Sequence, residues 1–209
     1  CGKIKHYEGS WRKGTLYGKG TSYFENGNIE YEGEWKNGFY EGQGTRYYDC
    51  GKIKHYEGKW IRDKKHGKGI FYTKKFGRKF YEGELINGKK EGDGTYYYYD
   101  GDIYKGNWKN DRRNGFGILY NKYGNIKYLG EWKDDVYHGY GTLYFNSSKI
   151  KGYLGNFSDG TKHGEGKLFD RDGEIIYNGI FDCDTFYKGE IKNGKRNGKG
   201  TLYLKKSIY

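Results

Sequence analysis

Residues 31–48 read Tyr31-Glu32-Gly33-Glu34-Trp35-Lys36-Asn37-Gly38-Phe39-Tyr40-Glu41-Gly42-Gln43-Gly44-Thr45-Arg46-Tyr47-Tyr48, and the rest of the chain repeats this segment with variations. The first half alternates, so on a strand Tyr31, Gly33 and Trp35 share one face and the two glutamates the other. A polar break over residues 36–41 contains an Asn-Gly pair, which is a common turn signal. Thr45 and Tyr47 then share one face of a returning strand. The segment therefore predicts a β-hairpin.

The opening tyrosine recurs at intervals of 23 to 25 residues over its first eight copies. The frame is defined by Tyr31, Gly33, Trp35, Gly42 and Gly44 in the best copy, and other copies place Leu, Phe or Ile where Trp35 stands. One short unit lacks the returning Gly-x-Gly, so the array is expected to be distorted there. Residues 1–6 duplicate residues 50–55 and are predicted to be the tail of a preceding repeat. The predicted units are 7–30, 31–55, 56–80, 81–103, 104–127, 128–152, 153–176, the truncated 177–186 and 187–209.

This pattern resembles the MORN ("membrane occupation and recognition nexus") repeat, with Tyr-x-Gly-x-Trp followed by Gly-x-Gly and a later Gly. Tyr31 to Gly51 fits closely, and Tyr81 to Gly101 fits with Leu85 in place of Trp. The period of two within each unit and the repeat together predict an all-β fold. The expected architecture is an elongated single-layer antiparallel sheet of stacked MORN β-hairpins, a rod-like repeat protein. The resemblance also implies dimerisation through terminal repeats.

The composition is polar, with a mean hydropathy of −1.15 and 32% charged residues, which alone would favour disorder. However, 26 Tyr, 11 Phe and 5 Trp recur in register, and proline is absent. Stability is therefore expected from stacking between neighbouring units, as in solenoids. Glycine in the frame leaves room for a ring from the next strand to lie against the backbone, so Gly33→Val is expected to melt two neighbouring hairpins.

Catalytic motifs find little support in this sequence. Gly-Lys-Gly-Thr at residues 18–21 and 198–201 lacks the full phosphate-loop spacing and its strand-to-helix context. His66, His138 and His163 precede the returning glycine and are interpreted as turn residues. A one-layer sheet offers few converging groups for catalysis. The chain is therefore predicted not to be an enzyme and to need no organic cofactor.

Cys183 carries the one metal hypothesis. It lies in the short unit, Asp159 occupies the corresponding place one repeat earlier, and His163 lies in the same loop as Asp159. Cys, His and Asp are zinc ligands, and a two-fold dimer would double their number. The alternative is a plain interface or buried thiol. Three widely spaced cysteines favour a reducing intracellular compartment.

The net charge of +12 is concentrated in units three to five. Anionic phospholipid, nucleic acid and acidic protein surfaces are the possible partners. Because the rings are used in internal stacking, nucleic acid is disfavoured. The candidate patch for lipid or an acidic partner consists of Arg62, Lys64, Lys65, Lys68, Lys74, Lys75, Arg78 and Lys79.

The main functional hypothesis is a non-catalytic scaffold that dimerises through its C-terminal repeats. High Lys, Asn, Tyr and Ile content resembles apicomplexan MORN-repeat proteins, which implies cortical cytoskeletal partners, a place at the inner membrane complex and a role in cell division. The alternative is a phosphoinositide-binding module. A targeting arm for an enzyme outside this sequence is a third possibility. No signal peptide or transmembrane run of about 20 apolar residues is visible, so a cytoplasmic location is expected.

Overall fold

A computed structural model of the chain describes residues 4–145, 150–192 and 195–204 and consists of strands joined by short turns. Every secondary-structure element in these residues is a β-strand. The strands are β1 Tyr7–Arg12, β2 Thr15–Tyr23, β3 Ile29–Lys36, β4 Phe39–Tyr47, β5 Lys54–Ile61, β6 Lys64–Tyr72, β7 Lys79–Ile86, β8 Lys89–Tyr97, β9 Ile103–Lys109, β10 Arg112–Tyr120, β11 Ile126–Lys133, β12 Val136–Tyr144, β13 Lys151–Ser158, β14 Thr161–Phe169, β15 Ile175–Asp182, β16 Thr185–Lys192 and β17 Lys195–Tyr203.

The strands belong to one 17-stranded sheet, and each described pairing joins chain neighbours in antiparallel fashion. This confirms the prediction of an all-β antiparallel sheet of stacked hairpins. The chain divides into two compact units. The first comprises the residues up to Tyr98 together with Asn107–Asp111, and the second comprises Tyr99–Gly106 together with the residues from Arg112 onward.

The turn within the best hairpin is shorter than the sequence suggested. β3 ends at Lys36 and β4 begins at Phe39, so only Asn37 and Gly38 lie between them. Both have positive φ, 53° and 85°. A two-residue turn with positive φ at both positions matches the twist of the flanking strands. The predicted six-residue break is therefore a tight turn plus the start of the returning strand.

The core is a row of buried tyrosines, each held between two large side chains. Tyr31 is fully buried and meets Trp35 of its own hairpin edge-on, with ring centroids 5.3 Å apart. Trp60 of the next hairpin meets the same ring at 5.7 Å. The indole N–H of Trp60 also donates to the carbonyl of Gly44 at 3.1 Å. Trp11 of the first hairpin is 62% exposed.

Two glycines of the frame lie beneath the tyrosine ring. Gly33 and Gly44 are cross-strand partners. A Cβ added to Gly33 would lie 2.4 Å from the Tyr31 hydroxyl, and one added to Gly44 would lie 2.1 Å from it. The hydroxyl itself donates to the carbonyl of Glu34 at 3.0 Å. The ring therefore seals the strand pair at a place where any other side chain would collide.

The third frame glycine, Gly42, has a different role. Gly33 pairs with Gly44 and Trp35 with Tyr40, so β4 carries extra residues in a bulge between these pairs. Gly42 lies in that bulge with a φ of 67°. The Glu34 carboxylate folds over it and accepts the Gln43 backbone N–H at 3.1 Å. Gly42 is thus required by the bulge and its glutamate cover and does not lie beneath a ring.

The short unit disturbs the sheet where the sequence predicted a distortion. β15 and β16 are paired only at Phe181–Phe186 and Asp182–Thr185. β16 pairs along most of its length with β17 and carries the opening tyrosine of the last unit, Tyr187. One strand thus serves both as the return of one hairpin and as the start of the next. β15 and β16 consequently diverge beyond the turn.

The outer face, opposite the tyrosine row, differs between the two units. In the first unit Glu57 accepts hydrogen bonds from Lys54 Nζ at 2.8 Å and from the Tyr72 hydroxyl at 3.0 Å, and similar clusters recur along the row. In the second unit Leu129 and Leu154 occupy the glutamate position and flank Thr142, which is buried. The charged clusters are therefore found in the first unit, and at Leu129 and Leu154 of the second unit apolar side chains take the place of the glutamate.

Candidate functional site

The second residue of each returning strand packs against the opening tyrosine of its own hairpin, and we call this place the inner position. In β4 and β12 it holds a tyrosine: Tyr40 stacks on Tyr31 at 3.8 Å and Tyr137 stacks on Tyr128 at 3.9 Å. In five other hairpins it holds a cation above the ring. These cations are Lys65 over Tyr56, Lys90 over Tyr81, Arg113 over Tyr104, Lys162 over Tyr153 and, in the last described strand, Arg196 over Tyr187.

An aspartate from the next turn accepts the backbone N–H of Lys90, Arg113 and Lys162, and we call it the turn aspartate. Asp135 accepts the backbone N–H and the Nε–H of Arg113, both at 3.0 Å. Asp184 accepts the backbone N–H of Lys162 at 3.0 Å and its Nζ–H at 3.1 Å. Asp111 accepts the Lys90 backbone N–H at 2.9 Å. Where it is present, the turn aspartate thus ties its hairpin to the one before it.

Lys65 is the exception among these cations. The next turn presents Gly88 at the aspartate position, and its backbone N–H donates to the Lys65 carbonyl at 2.8 Å. Lys65 Nζ lies 4.7 Å from the Phe71 ring centroid. Burial, followed by the nearby Arg46, lowers the pKa of Lys65 to about 8. Burial likewise lowers the pKa of His55 to about 4, with Lys65 and Arg46 adding to the shift.

The eight basic residues of the candidate patch do not form one surface. Arg62 and Lys64 lie at the turn that precedes β6, whereas Lys74, Lys75 and Arg78 lie in the link that follows it. β6 is nine residues long, which separates its two ends by about 25 Å. Within the strand, Lys65 faces the tyrosine row, whereas Lys68 is paired across the strands with Glu84. Lys79 opens the next strand and pairs with Glu82.

The link after β6 combines cations with an exposed ring. Phe76 is 54% exposed. Lys75 Nζ and the Arg78 guanidinium lie 5.1 and 5.4 Å from its centroid. Lys74 is paired with Asp49 at 2.9 Å. An exposed ring between two cations is the arrangement that an anionic lipid–water interface would accept. Phe76 was not among the residues singled out in the sequence, because its exposure depends on the link conformation.

The three histidines lie in strands, so their interpretation as turn residues is wrong. His66, His138 and His163 belong to β6, β12 and β14. The strands extend to these positions because the turns contain only two residues. The Nδ1 atoms of His66 and His138 are buried and have no hydrogen-bond partner in the described part of the chain.

The residues of the zinc hypothesis are only partly brought together. His163 and Cys183 lie in one exposed cluster, but its carboxylate is Asp182 rather than Asp159. The possible ligand atoms of the three lie within 4.8 Å of one another, and His163 Nδ1 is 3.7 Å from the nearer Asp182 oxygen. Asp159 occupies the turn position that Cys183 occupies in the next hairpin, each with a φ of 48°. Asp159 and Cys183 are therefore equivalent, as the sequence indicated. Because equivalent turn positions lie one hairpin apart, Asp159 is not part of the cluster that contains Cys183.

The divergence of β15 and β16 opens a cleft of about 390 Å³. Its wall includes Ile176 and Ile180 on β15 and Tyr187 on β16. Ile180 is 58% exposed. Beyond the turn, the described pairings leave the facing edges of the two strands without each other as partners. This cleft therefore combines an apolar lining with strand edges that can pair with another chain.

A family model described as the MORN repeat matches eight segments that together cover most of the chain. They span residues 7–29, 31–49, 56–76, 81–103, 104–122, 128–149, 153–175 and 187–206. The chain belongs to the MORN-repeat family. The MORN matches leave out the short unit at residues 177–186. No curated protein matches the chain by sequence similarity.

MORN repeats suggest a repeat scaffold or a membrane-association role, and all-β proteins of this family are typically non-enzymatic scaffolds. In the described residues of this MORN protein, no helix is long and apolar enough to cross a membrane.

Proposed function

We propose that this MORN-repeat protein is a non-catalytic scaffold that forms a homodimer through its C-terminal repeats. Its place in the cell is the cytoplasmic cortex, where it organises cytoskeletal proteins near the inner membrane complex during cell division. The cortical assignment rests on the compositional resemblance to apicomplexan MORN-repeat proteins. The self-association rests on the geometry of the last hairpins.

The cleft between β15 and β16 is the observation that supports self-association. Ile175, Ile176 and Ile180 are all exposed there, although isoleucine is a residue that folded chains usually bury. Leu202 and Leu204 are exposed near the end of the described chain. Exposed apolar residues beside unpaired strand edges favour pairing with a second copy. The strands of the early repeats do not diverge in this way, because their described pairings run along the whole length of the strands.

The test measures molar mass by light scattering after size-exclusion chromatography. The expected mass is twice the 24.5 kDa of the chain. Ile180→Lys is expected to give the single-chain mass, because a buried unpaired cation disfavours the interface. Ile86→Lys is the matched control, since Ile86 is 52% exposed in an early hairpin, and it is expected to remain dimeric. A single-chain mass for the unmodified protein, or an unchanged mass for Ile180→Lys, would refute this interface.

Phosphoinositide binding is the second candidate function, and the link around Phe76 supports it. The ring is exposed and the cations on either side of it can meet lipid phosphates. Near an anionic surface each cation contributes about 1 kcal/mol. On this proposal the lipid contact lies at one end of β6 and does not include Arg62 and Lys64.

Vesicle co-sedimentation separates this alternative from the scaffold. Vesicles of phosphatidylcholine with and without phosphoinositide are compared at physiological salt. Under lipid binding, the double variant Lys75→Ala/Arg78→Ala loses binding, whereas the charge-matched Arg62→Ala/Lys64→Ala keeps it. Absence of phosphoinositide-dependent sedimentation, or equal losses in both variants, counts against a lipid site at this link.

A further inference from the structure

We propose that Lys65, flanked by Arg46 and His55, forms a receiving site for a carboxylate of an acidic protein segment. The assignment names a class of partner for the proposed scaffold and in that respect rests on it. The site lies on the tyrosine face of the first unit, beside the turn at Asn87-Gly88.

Lys65 differs from the cations at the equivalent position of other repeats in what faces it from the next turn. Lys90, Arg113 and Lys162 hold the same inner position as Lys65, and each is followed one turn later by an aspartate on its backbone N–H. For Arg113 and Lys162 the same carboxylate also binds the side-chain charge. Glycine stands at the aspartate position after Leu16, Lys65 and Tyr137. The Tyr40 backbone N–H also receives such an aspartate, Asp63 at 2.7 Å, so the aspartate accompanies the position and not the cation alone. Of the three inner residues that face a glycine, Lys65 is the one that carries a charge, and the turn opposite it supplies no carboxylate.

The Lys65 side chain is surrounded by aromatic rings. Its ammonium lies over the rings of Tyr56 and Phe71, at 5.5 and 4.7 Å. Among the described residues no carboxylate lies within ion-pair distance of it. Arg46 is close enough to lower the pKa of Lys65, which remains charged at neutral pH because that pKa is about 8. Arg46 is paired with Glu30 at 2.9 Å, so the uncompensated charge is that of Lys65.

The inner position has room for a carboxylate. The hairpin frame already holds an aspartate carboxylate against this position in β10 and β14, which shows that a carboxylate fits between the turn and the inner position. A charge-assisted hydrogen bond to a partly buried ammonium is stronger than a neutral one. His55 lies against the same Phe71 ring, at 6.3 Å between centroids, and is therefore a neighbour of the site. An aspartate or glutamate of a partner segment therefore replaces the carboxylate that Gly88 lacks.

The chain offers a variant that fills the site from within. Gly88 has a φ of 85°, and a Cβ there meets nothing within 4 Å. Asp111 and Asp135 occupy the same turn position with φ of 69° and 74°, so aspartate is compatible with this backbone. Gly88→Asp is expected to pair with Lys65. The matched control is Gly38→Asp, because Gly38 also has a φ of 85°, also follows asparagine and faces Leu16 instead of a cation.

The experiment titrates the full chain with capped hexaglutamate by isothermal calorimetry, with capped hexaglutamine as the neutral counterpart. We expect hexaglutamate to bind and Gly88→Asp and Lys65→Gln each to weaken it by about tenfold. Gly38→Asp and Lys64→Gln, which change the net charge equally, are expected to bind like the unmodified chain. Thermal unfolding supplies a second readout, in which Gly88→Asp is more stable than Gly38→Asp.

Three results would overturn the site. The first is that hexaglutamate does not bind the unmodified chain. The second is that the control variants weaken binding as much as Gly88→Asp and Lys65→Gln do. The third is that binding of inorganic phosphate or of phosphoinositide vesicles depends on Lys65, whereas binding of hexaglutamate does not. The last result would assign the position to phosphate. The site and the scaffold fail separately, because the site is measured as probe binding and the scaffold as molar mass.

Discussion

The hydroxyl of Tyr31 lies over Gly44 of the neighbouring strand so closely that a methyl group on that glycine would lie 2.1 Å from it. The same ring is fully buried and stacks on Tyr40 at 3.8 Å. Trp60 of the next hairpin meets the same ring at 5.7 Å, so the two strands of one hairpin and its neighbour all pack on this tyrosine. The contact of ring with glycine recurs along the chain, for example between Tyr56 and Gly69 or Tyr128 and Gly141.

The first prediction concerns this contact. Gly44→Ala is expected to lower the free energy of unfolding by about 3 kcal/mol, because the added methyl overpacks a site closed by backbone and ring. Gly33→Val is expected to cost at least as much. Gly152→Ala is the control, since its Cβ would make only ordinary contacts at 3.6 Å. Urea unfolding followed by tryptophan fluorescence gives the values, and equal stability of Gly44→Ala and Gly152→Ala would contradict the sealing role.

The buried tyrosines predict a loss of stability in alkali. Burial raises the pKa of Tyr31, Tyr56, Tyr81, Tyr128 and Tyr153 above the usual 10. Above pH 10 these groups ionise in the unfolded chain but resist ionising in the folded one, so their contribution to stability is lost as pH rises. Lys65 acts in the opposite direction between pH 8 and 10.5, because its folded pKa is the lower one. The five tyrosines outweigh the single lysine, so the free energy of unfolding is expected to fall as the pH rises above about 10.

Thermal unfolding at about pH 9 and about pH 11 measures this loss. The midpoint temperature of unfolding is expected to be lower at about pH 11 than at about pH 9. Tyrosinate absorbance is expected to rise in a second phase, as the chain unfolds and exposes the buried rings. A single ionisation phase near pH 10 without loss of structure would be inconsistent with sealed tyrosine rings.

A pair of adjacent aspartates tests the turn aspartate. Asp135 binds Arg113, whose side chain is 17% exposed and lies 4.1 Å from the Trp132 ring centroid. Asp134 pairs with Arg112 at 3.6 Å, and both side chains are more than half exposed. Asp135→Ala is expected to cost about 2 kcal/mol, because it removes the carboxylate that accepts from both a partly buried cation and a backbone N–H, and leaves the guanidinium only the backbone carbonyl of residue 135. Asp134→Ala is expected to cost less than about 0.5 kcal/mol.

A double-mutant cycle with Arg113→Ala completes this test. A coupling energy between positions 113 and 135 well above that between 112 and 134 supports the role of the turn aspartate in joining neighbouring hairpins. Equal coupling in the two pairs would reduce the turn aspartate to a surface ion pair.

The hairpin frame could be predicted from the sequence because each frame residue makes a local contact within one unit or with its neighbour. Tyr31, Gly33 and Trp35 lie on one face as the alternation required, and Asn37-Gly38 forms the turn. The bulge around Gly42 could not be predicted, because a glycine needed for positive φ and one needed beneath a ring look alike in the sequence.

The candidate sites depended on distances between units, and here sequence reasoning was weaker. The basic patch was grouped by proximity in sequence, but β6 carries its members to opposite ends and faces. Lys65 was predicted as one cation among eight, whereas its distinction is the glycine that faces it from the next turn. A comparison of turn positions across repeats, Asp111 and Asp135 against Gly88, is the signal that could have found it.

The last prediction concerns zinc at His163, Asp182 and Cys183. Three donors within 4.8 Å match the Cys, His and carboxylate ligands that zinc accepts, and the tetrahedral ion needs a fourth, which a second copy in the C-terminal dimer can supply. Elemental analysis of the purified protein is expected to find zinc in stoichiometric amount. Cys183→Ala and Asp182→Ala are expected to lose it, whereas Asp159→Ala keeps it because that residue lies outside the cluster. Cys50→Ala is the control, since Cys50 is also an exposed free thiol. Chelation is expected to shift the mass toward the single chain, and equal metal content in Cys183→Ala and Cys50→Ala would eliminate the site.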